Sequence, residues 1–346
     1  MTEPKALWAV TVRDRIVAVR AFLGFLPLRW VVTPDIAGME YKSQKCYDRF
    51  QYKVLRDNYM YVRKKILLSL LNNSKKPATR LQMVKWAFLL ANEFKHPQLK
   101  SFYTFVPYKF GPFSFSLYRD LDGLIDNTYI KSDSKGSLSL SQKVAAPKVE
   151  GKLALDIALF IRKYKKLSDK DLKKYVYKNY PWYTINASNQ KHRLESRPNA
   201  DNAIYTAGYE SLQVDEFMNL LLKNGIHQLI DVRNNPVARR YGFHKKTISY
   251  ICKQLGIDYF HFPQLGIQSK IRFKLLSKDD YSTLFKIYKE EILSNETKAI
   301  QKVADMVKEK ASVLVCMEAD HNYCHRKLLA QGVEKLTSLP LIELRN

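Results

Sequence analysis

Acidic residues are in short supply in this chain. Its 346 residues include 33 Asp and Glu against 58 Lys and Arg, a formal charge of +25 at pH 7. A compact molecule with that excess repels itself, so a polyanion is the partner the charge calls for, with nucleic acid ahead of an acidic membrane surface. Cysteine is scarcer still. The four, Cys46, Cys252, Cys316 and Cys324, are too few and too scattered to staple a chain of this length, which excludes a disulfide scaffold and suits a reducing cytoplasm. The most apolar early stretch, residues 16–32, is broken by Arg20, Gly24, Pro27 and Arg29, whereas a bilayer span needs about 20 apolar residues without charges. The opening Met1-Thr2-Glu3-Pro4-Lys5 lacks secretory-signal character, and no internal repeat is visible.

What is present suffices for real cores. Hydrophobic residues make up 46% and aromatics 12%, which excludes wholesale disorder. The length predicts two domains. We divide the chain into an N-terminal extension (1–55), with Met39 as an alternative start; a mostly helical domain (56–184); a polar, basic, aperiodic linker (185–202); and an α/β domain (203–346).

In the helical domain, apolar spacing predicts a helix over 61–71 and a second one capped by Thr79. A strand over 102–108 follows, then a loop, and then a third helix capped by Ser114 or Ser116 that buries Leu117, Leu121, Leu124 and Ile125. Two β-prone stretches, 129–131 and 137–140, come next, and further helix runs over 152–180 with a capping pattern at Ser168. Three helices and a two-strand wing are the parts of a winged helix-turn-helix, which sets one helix in a DNA groove and lays its wing on the backbone. Lys109, Arg119, Lys131 and Lys135 are then candidate phosphate contacts, joined by Arg239, Arg240, Lys245 and Lys246 further on. Such domains also serve as adaptors between proteins. The run Tyr108-Lys109-Phe110-Gly111-Pro112-Phe113-Ser114, with Leu117-Tyr118-Arg119-Asp120-Leu121 and Tyr129-Ile130, resembles the segment found in Panacea antitoxin-type domains and related winged-helix proteins.

From residue 203 the pattern alternates. Strands are predicted over 203–206, 228–233, 258–262, 312–317 and 339–344, with helices over 214–223, 246–255, 280–294, 298–310 and 325–336 between them. This predicts a flavodoxin- or Rossmann-like parallel sheet in three layers, whose ligands bind at the strands' C-terminal edge. Polar residues gather there: Tyr209 and Glu210 after the first strand, Asp231 and Arg233 after the second, Gln264 after the third, and Cys316 and Glu318 after the fourth. The loop beyond delivers Cys324, His325 and Arg326 to a helix N-terminus, where free N–H groups favour an anion and a thiolate. The two arginines suit a phosphate or carboxylate, His325 a general base, and Asp231 or Glu318 the handling of protons. Each has a bland alternative: an apolar filler for Cys316, a bracing ion pair for Asp231 and Arg233, a cap for His325. Cys316, His321, Cys324 and His325 lack a CxxC knuckle, so neither a metal nor another cofactor is expected. Cys316 and Arg326 are too far apart in sequence for a phosphatase-type loop.

These residues carry a second resemblance. Ile204-Tyr205-Thr206-Ala207-Gly208-Tyr209-Glu210, Asp231-Val232-Arg233-Asn234-Asn235-Pro236, Tyr241-Gly242-Phe243, and Cys316-Met317-Glu318 with Cys324-His325-Arg326 resemble the family called domain of unknown function 488. The resemblance spans nearly all of 203–346 and implies a site at Asp231, Arg233, Cys316, Glu318, Cys324, His325 and Arg326, without implying a reaction. Ala207 departs from the pattern, standing where a β-branched residue is commoner. The expected function is a nucleic-acid-processing enzyme, DNA favoured over RNA, cleaving a glycosidic or phosphodiester bond in phage defence or nucleic-acid modification. The alternatives are a DNA-binding regulator that senses a nucleotide and an antitoxin-type adaptor.

Overall fold

Helix formation begins where apolar residues first recur every three to four positions. The computed structural model describes residues 60–142, 149–271 and 278–345, so the expected extension 1–55 lies outside the described residues. Helix α1 (Val62–Ser74) buries Ile66, Leu67, Leu70 and Leu71. Helix α2 (Arg80–Glu93) starts on Thr79: the Thr79 hydroxyl accepts from the Gln82 N–H, and the Gln82 side chain accepts from the Thr79 N–H. Of the strand expected over 102–108, only β1 (Val106–Tyr108) forms, and it folds back on β2 (Gly111–Phe113) in what the sequence suggested was loop. Gly111 makes the hairpin possible. Its φ is +89°, and a Cβ there would sit 2.9 Å from the Tyr177 ring. Helix α3 (Phe115–Asp126) begins on Ser114, whose hydroxyl accepts from the Leu117 N–H. Strands β3 (Ile130–Ser132) and β4 (Leu138–Leu140) pair antiparallel, and Ala78 bridges to Leu138. Helices α4 (Gly151–Tyr164) and α5 (Asp169–Asn179, capped by Ser168) complete this part.

The second part is the alternating fold the sequence predicts. It runs β5 (Ile204–Gly208), α6 (Val214–Lys223), β6 (Gln228–Asp231), α7 (Lys245–Gln254), β7 (Asp258–His261), α8 (Lys278–Ile287), α9 (Thr297–Glu309), β8 (Ser312–Cys316), α10 (Arg326–Thr337) and β9 (Leu341–Leu344). A π-helical turn, Tyr288–Leu293, extends α8. The five strands are all parallel, in the order β7-β6-β8-β5-β9. From β5 the chain winds toward one edge, and from β8 toward the other. The sheet therefore reverses direction between β5 and β8, where Gly208 lies opposite Cys316.

Side chains alternate across this sheet. Tyr205, Ala207, Leu229, Val313 and Val315 pack with α6 and α7 on one face, through Phe217, Leu221, Ile248 and Ile251. Ile204, Ile230, Leu314 and Cys316 pack with α9 and α10 on the other, through Val303, Val307, Leu329 and Val333. Three layers result. Among the described residues no helix is long and apolar enough to cross a membrane.

The helical part shares the first of these cores, to which it contributes Val106 and Phe115. The seam is also polar. Asp215, fully buried on α6, accepts hydrogen bonds from the Phe115 N–H (2.7 Å), the Ser116 N–H (3.1 Å) and the Ser114 hydroxyl (3.2 Å). A carboxylate from the α/β part thus caps the first turn of α3. Asn219 donates to the Phe105 carbonyl at 2.6 Å, and Tyr108 to Gln254 at 2.7 Å. Burial pushes the Asp215 carboxyl up to about 6 against the pull of its donors. Asp215→Ala strands three buried donors, and the unfolding free energy should fall by about 2–4 kcal/mol in urea denaturation.

Candidate functional site

Strand parity divides the residues expected at the sheet edge. Asp231 lies beside Val315 in the ladder and points with Leu229, whereas Cys316, one residue further along β8, points to the opposite face. The expected site is therefore two sites, back to back.

The first holds Asp231, Arg233 and Tyr209. Asp231 is completely buried, and Arg233 grips it with Nε (2.8 Å) and Nη2 (2.5 Å) while its own backbone N–H donates to Oδ1. Tyr259 donates to Asp231 Oδ2 at 2.7 Å. The remaining guanidinium nitrogen donates to the Tyr209 hydroxyl (2.8 Å) and the Phe243 carbonyl (2.9 Å), and the Tyr209 and Phe243 rings stack at 4.0 Å. Burial disfavours the Arg233 charge, but the hydrogen bond and charge of Asp231 outweigh it and hold the guanidinium above its usual range. Four of the five N–H donors of this arginine are spent within the protein, and its side chain is only 7% exposed, which leaves little of it for a phosphate. Asp231 and Arg233 brace the loop after β6, and the phosphate-gripping role expected of Arg233 does not fit this geometry.

The second holds Cys316, Glu318, Cys324 and His325. Cys316 Sγ lies 3.0 Å from Glu318 Oε2 and 3.3 Å from His325 Nε2, and Cys324 Sγ lies 3.0 Å from the same Glu318 oxygen. The sulfurs and a His325 ring nitrogen all fall within 4.8 Å of one another, and Cys316, Cys324 and His325 are each at most 2% exposed. The missing CxxC knuckle does not keep these ligand-type atoms apart, because a strand end and a helix start bring them together. His321, the fourth residue of that set, faces Glu343 instead, with Nδ1 3.7 Å from a carboxylate oxygen. The hydrogen bond with Cys324, followed by burial, pushes the Cys316 thiol well above the usual cysteine range, while His325 acts in the opposite direction.

Backbone geometry builds this cluster. A Cβ on Gly208 would stand 1.8 Å from the Glu318 carbonyl oxygen, so only glycine lets the chain leaving β8 cross over the end of β5. The Glu210 N–H donates to the Met317 carbonyl (2.8 Å), and Glu210 Oε2 accepts from the Ala319 N–H (3.0 Å). Arg326, wholly buried, donates to the Glu318 and Ala319 carbonyls and to Glu343 of β9 (3.2 Å). This second arginine also holds the loop and not a ligand. Tyr288, in the π-helical turn, places its ring 5.1 Å from that of His325 and donates to the Leu265 carbonyl at 2.7 Å.

A cavity of about 390 Å³ opens on the cluster, lined by Glu210, Glu318, His325, Tyr281, Phe285 and Tyr323 among others. The Tyr281 and Tyr323 rings meet edge to face at 5.2 Å. Among the described residues no lysine or arginine lines it. Gln264 is exposed in a turn elsewhere. Glu343, Tyr281, Tyr288 and Tyr323 escaped the sequence reading and Gly208 entered it only within a family motif, although an acidic residue inside the apolar last strand was a visible signal for Glu343.

A larger groove of about 790 Å³ runs along the seam between the two parts. Lys109 and Arg119 line it with Tyr108, Phe110, Tyr241 and Tyr250, and Arg119 stacks on Tyr241 at 4.5 Å. The other expected phosphate contacts, Lys131, Lys135, Arg239, Arg240, Lys245 and Lys246, are exposed outside its lining, and Arg240 donates to the Leu212 carbonyl. In the groove's floor Lys85, 3% exposed, donates to the Pro112 carbonyl at 2.8 Å. Burial, and then the charge of Lys173, lower its pKa to about 7. Lys85 sits in the middle of the apolar stripe of α2, a signal that the sequence reading passed over.

Asp231→Asn leaves the Arg233 charge buried and uncompensated, and should cost about 3–5 kcal/mol in denaturant unfolding. For Lys85 the folded pKa lies below the unfolded value, so the unfolded chain binds more protons between about pH 7 and 10.5. Stability should therefore rise with pH across that window by up to about 1.4 kcal/mol per pH unit. Melting temperatures measured beside Lys85→Met, which lacks the titration, read the difference.

No curated protein and no solved structure matches the chain. Residues 213–333, which hold the whole thiol–imidazole cluster with Glu318 and the Asp231–Arg233 brace, match the family described as Domain of unknown function DUF488.

Proposed function

We propose that the protein is a nucleic-acid-processing hydrolase that takes a single nucleoside unit into the cavity beside Glu318. The observation that carries this reading is the character of that cavity. Three carboxylates, Glu210, Glu318 and Asp320, and the aromatic rings of Tyr281, Phe285 and Tyr323 line a space of about 390 Å³ at the point where the strand order reverses. Its wall has aromatic faces for a planar base and acceptors for hydroxyl or amino groups. Among the described residues it also carries negative charge and no lysine or arginine to meet a phosphate. Cleavage of a glycosidic bond, in which a carboxylate moves protons and steadies positive charge on the sugar, therefore fits better than cleavage of a phosphodiester.

The seam groove supplies the other half of the reading. Lys109 and Arg119 provide positive charge beside Asp122 and Asp126, of which Asp122 is paired with Arg80, while Phe110 and Tyr250, 53% and 57% exposed, provide stacking surfaces. Cations interleaved with aromatic rings suit a single strand with splayed bases. Helices α1–α3 and the β3–β4 hairpin would then support a single strand and not a duplex. The start of α3 is tied to α6 by Asp215, and the α3 residues Asp122 and Asp126 expose negative charge, which disfavours insertion of this helix into a duplex groove. A phage-defence or nucleic-acid-modification setting accords with such an activity. A nucleotide-sensing regulator and an antitoxin-type adaptor are the alternatives.

The test incubates purified protein with labelled single- and double-stranded DNA and RNA, modified bases included, across a salt series. Wild-type protein should bind single strands with a salt-dependent affinity and release a product. Glu318→Gln should keep that binding and lose about 10²–10⁴-fold in rate. Salt-dependent binding without product would point to the regulator, and no binding at low salt to the adaptor.

A further inference from the structure

The thiol–imidazole cluster asks for more than proton transfer by Glu318. Two cysteines and a histidine with ligand atoms within 4.8 Å of one another converge from two separate elements, the end of β8 and the start of α10. They do so at most 2% exposed, inside an apolar cluster that includes Leu314, Leu329 and Ala330. Buried polar atoms are ordinarily matched by strong partners, and sulfur is a weak one. His325 Nε2 is the nitrogen that faces the sulfur, 3.3 Å from Cys316 Sγ.

We propose that Cys316, Cys324 and His325 bind a zinc ion through the two sulfurs and Nε2. Two thiolates and an imidazole are a donor set that selects zinc over the hard cations, which prefer oxygen. The distances fit. Zinc with Zn–S of about 2.3 Å and Zn–N of about 2.0–2.1 Å at a tetrahedral angle separates sulfur from nitrogen by about 3.6 Å. The Cys316–His325 separation without an ion is 3.3 Å, so the ligands need spread only slightly. Three protein ligands leave a fourth position for water, the arrangement of catalytic zinc sites and not of structural ones. Glu318 and His325 both line the cavity, which places that position toward it. The Glu318 carboxylate, 3.0 Å from both sulfurs, stands where it takes a proton from the bound water and leaves hydroxide on the metal. The inference deepens the hydrolase reading but does not rest on the identity of the substrate.

The test measures metal without substrate. Full-length protein is purified from zinc-supplemented medium and its metal content determined by plasma mass spectrometry. Cobalt is then exchanged in and the absorption spectrum recorded. About one zinc per chain is expected, with a thiolate-to-cobalt charge-transfer band in the near ultraviolet. Cys316→Ser, Cys324→Ser and His325→Ala should each lose the metal. Glu318→Gln should retain it, as should Cys252→Ser, which alters a buried cysteine on the opposite face of the sheet. Because the site variants are buried and can fail to fold, a second measurement uses wild-type protein alone: an organomercurial titrating its thiols should release zinc in step. Zinc-free protein from supplemented medium, a cobalt derivative without the thiolate band, or a disulfide between Cys316 and Cys324 would overturn the proposal. Zinc bound as described by a protein that turns over no nucleic acid would leave this site standing while removing the reading above.

Discussion

The chain leaving β8 passes so close over the end of β5 that no side chain fits beneath it, and the candidate site depends on that approach. Gly208 supplies the space, and the Glu318 carbonyl fills it. Glu210 then ties the two loops together by its backbone N–H and its carboxylate, and Arg326 fastens the 318–319 backbone to Glu343 on β9. With the loop fixed at both ends, Glu318 is held over Cys316 and Cys324. The cavity is then a product of sheet topology, because a loop from the fourth strand covers the first only when those two strands are neighbours.

Charges that look functional in sequence are divided here between bracing and chemistry by what surrounds them. Arg233 and Arg326 spend their donors on Asp231, Tyr209, Glu343 and backbone carbonyls, so each is a girder for a loop. Asp215 does the same between the two parts of the molecule, capping a helix that belongs to the other part. Burying such groups is unfavourable unless they find partners, which is why most of their donors and acceptors are engaged, Arg326 Nε excepted. The cluster of Cys316, Cys324 and His325 is matched mainly by weak sulfur contacts and by Glu318, and His325 and Glu318 open to a cavity.

Much of the fold was legible. The β-strands and helices after residue 203 follow from hydrophobic runs and their punctuation, and Thr79, Ser114 and Ser168 cap helices as their residue types dictate. The family resemblance correctly named the C-terminal region, and the residue types around Cys316 and Cys324 marked one edge of a sheet. The β1–β2 hairpin was missed because its second strand reads Gly-Pro-Phe, a composition that argues for loop until the Tyr177 ring and the φ of Gly111 are seen.

By itself the sequence determined the alternation of strand and helix, the excess of positive charge and the list of polar residues at the strand ends, since each depends only on neighbouring residues or on composition. Tertiary structure alone decided which of those residues meet. Asp231 and Cys316 are both strand-end residues, yet the two-residue period of a strand, combined with the register of β6 against β8, sends them to opposite faces. Cys316 and Cys324 lie too unevenly spaced for a metal knuckle, yet the loop between them returns one to the other. Register and loop path are set by the packing of the whole sheet, and no local stretch of chain encodes them.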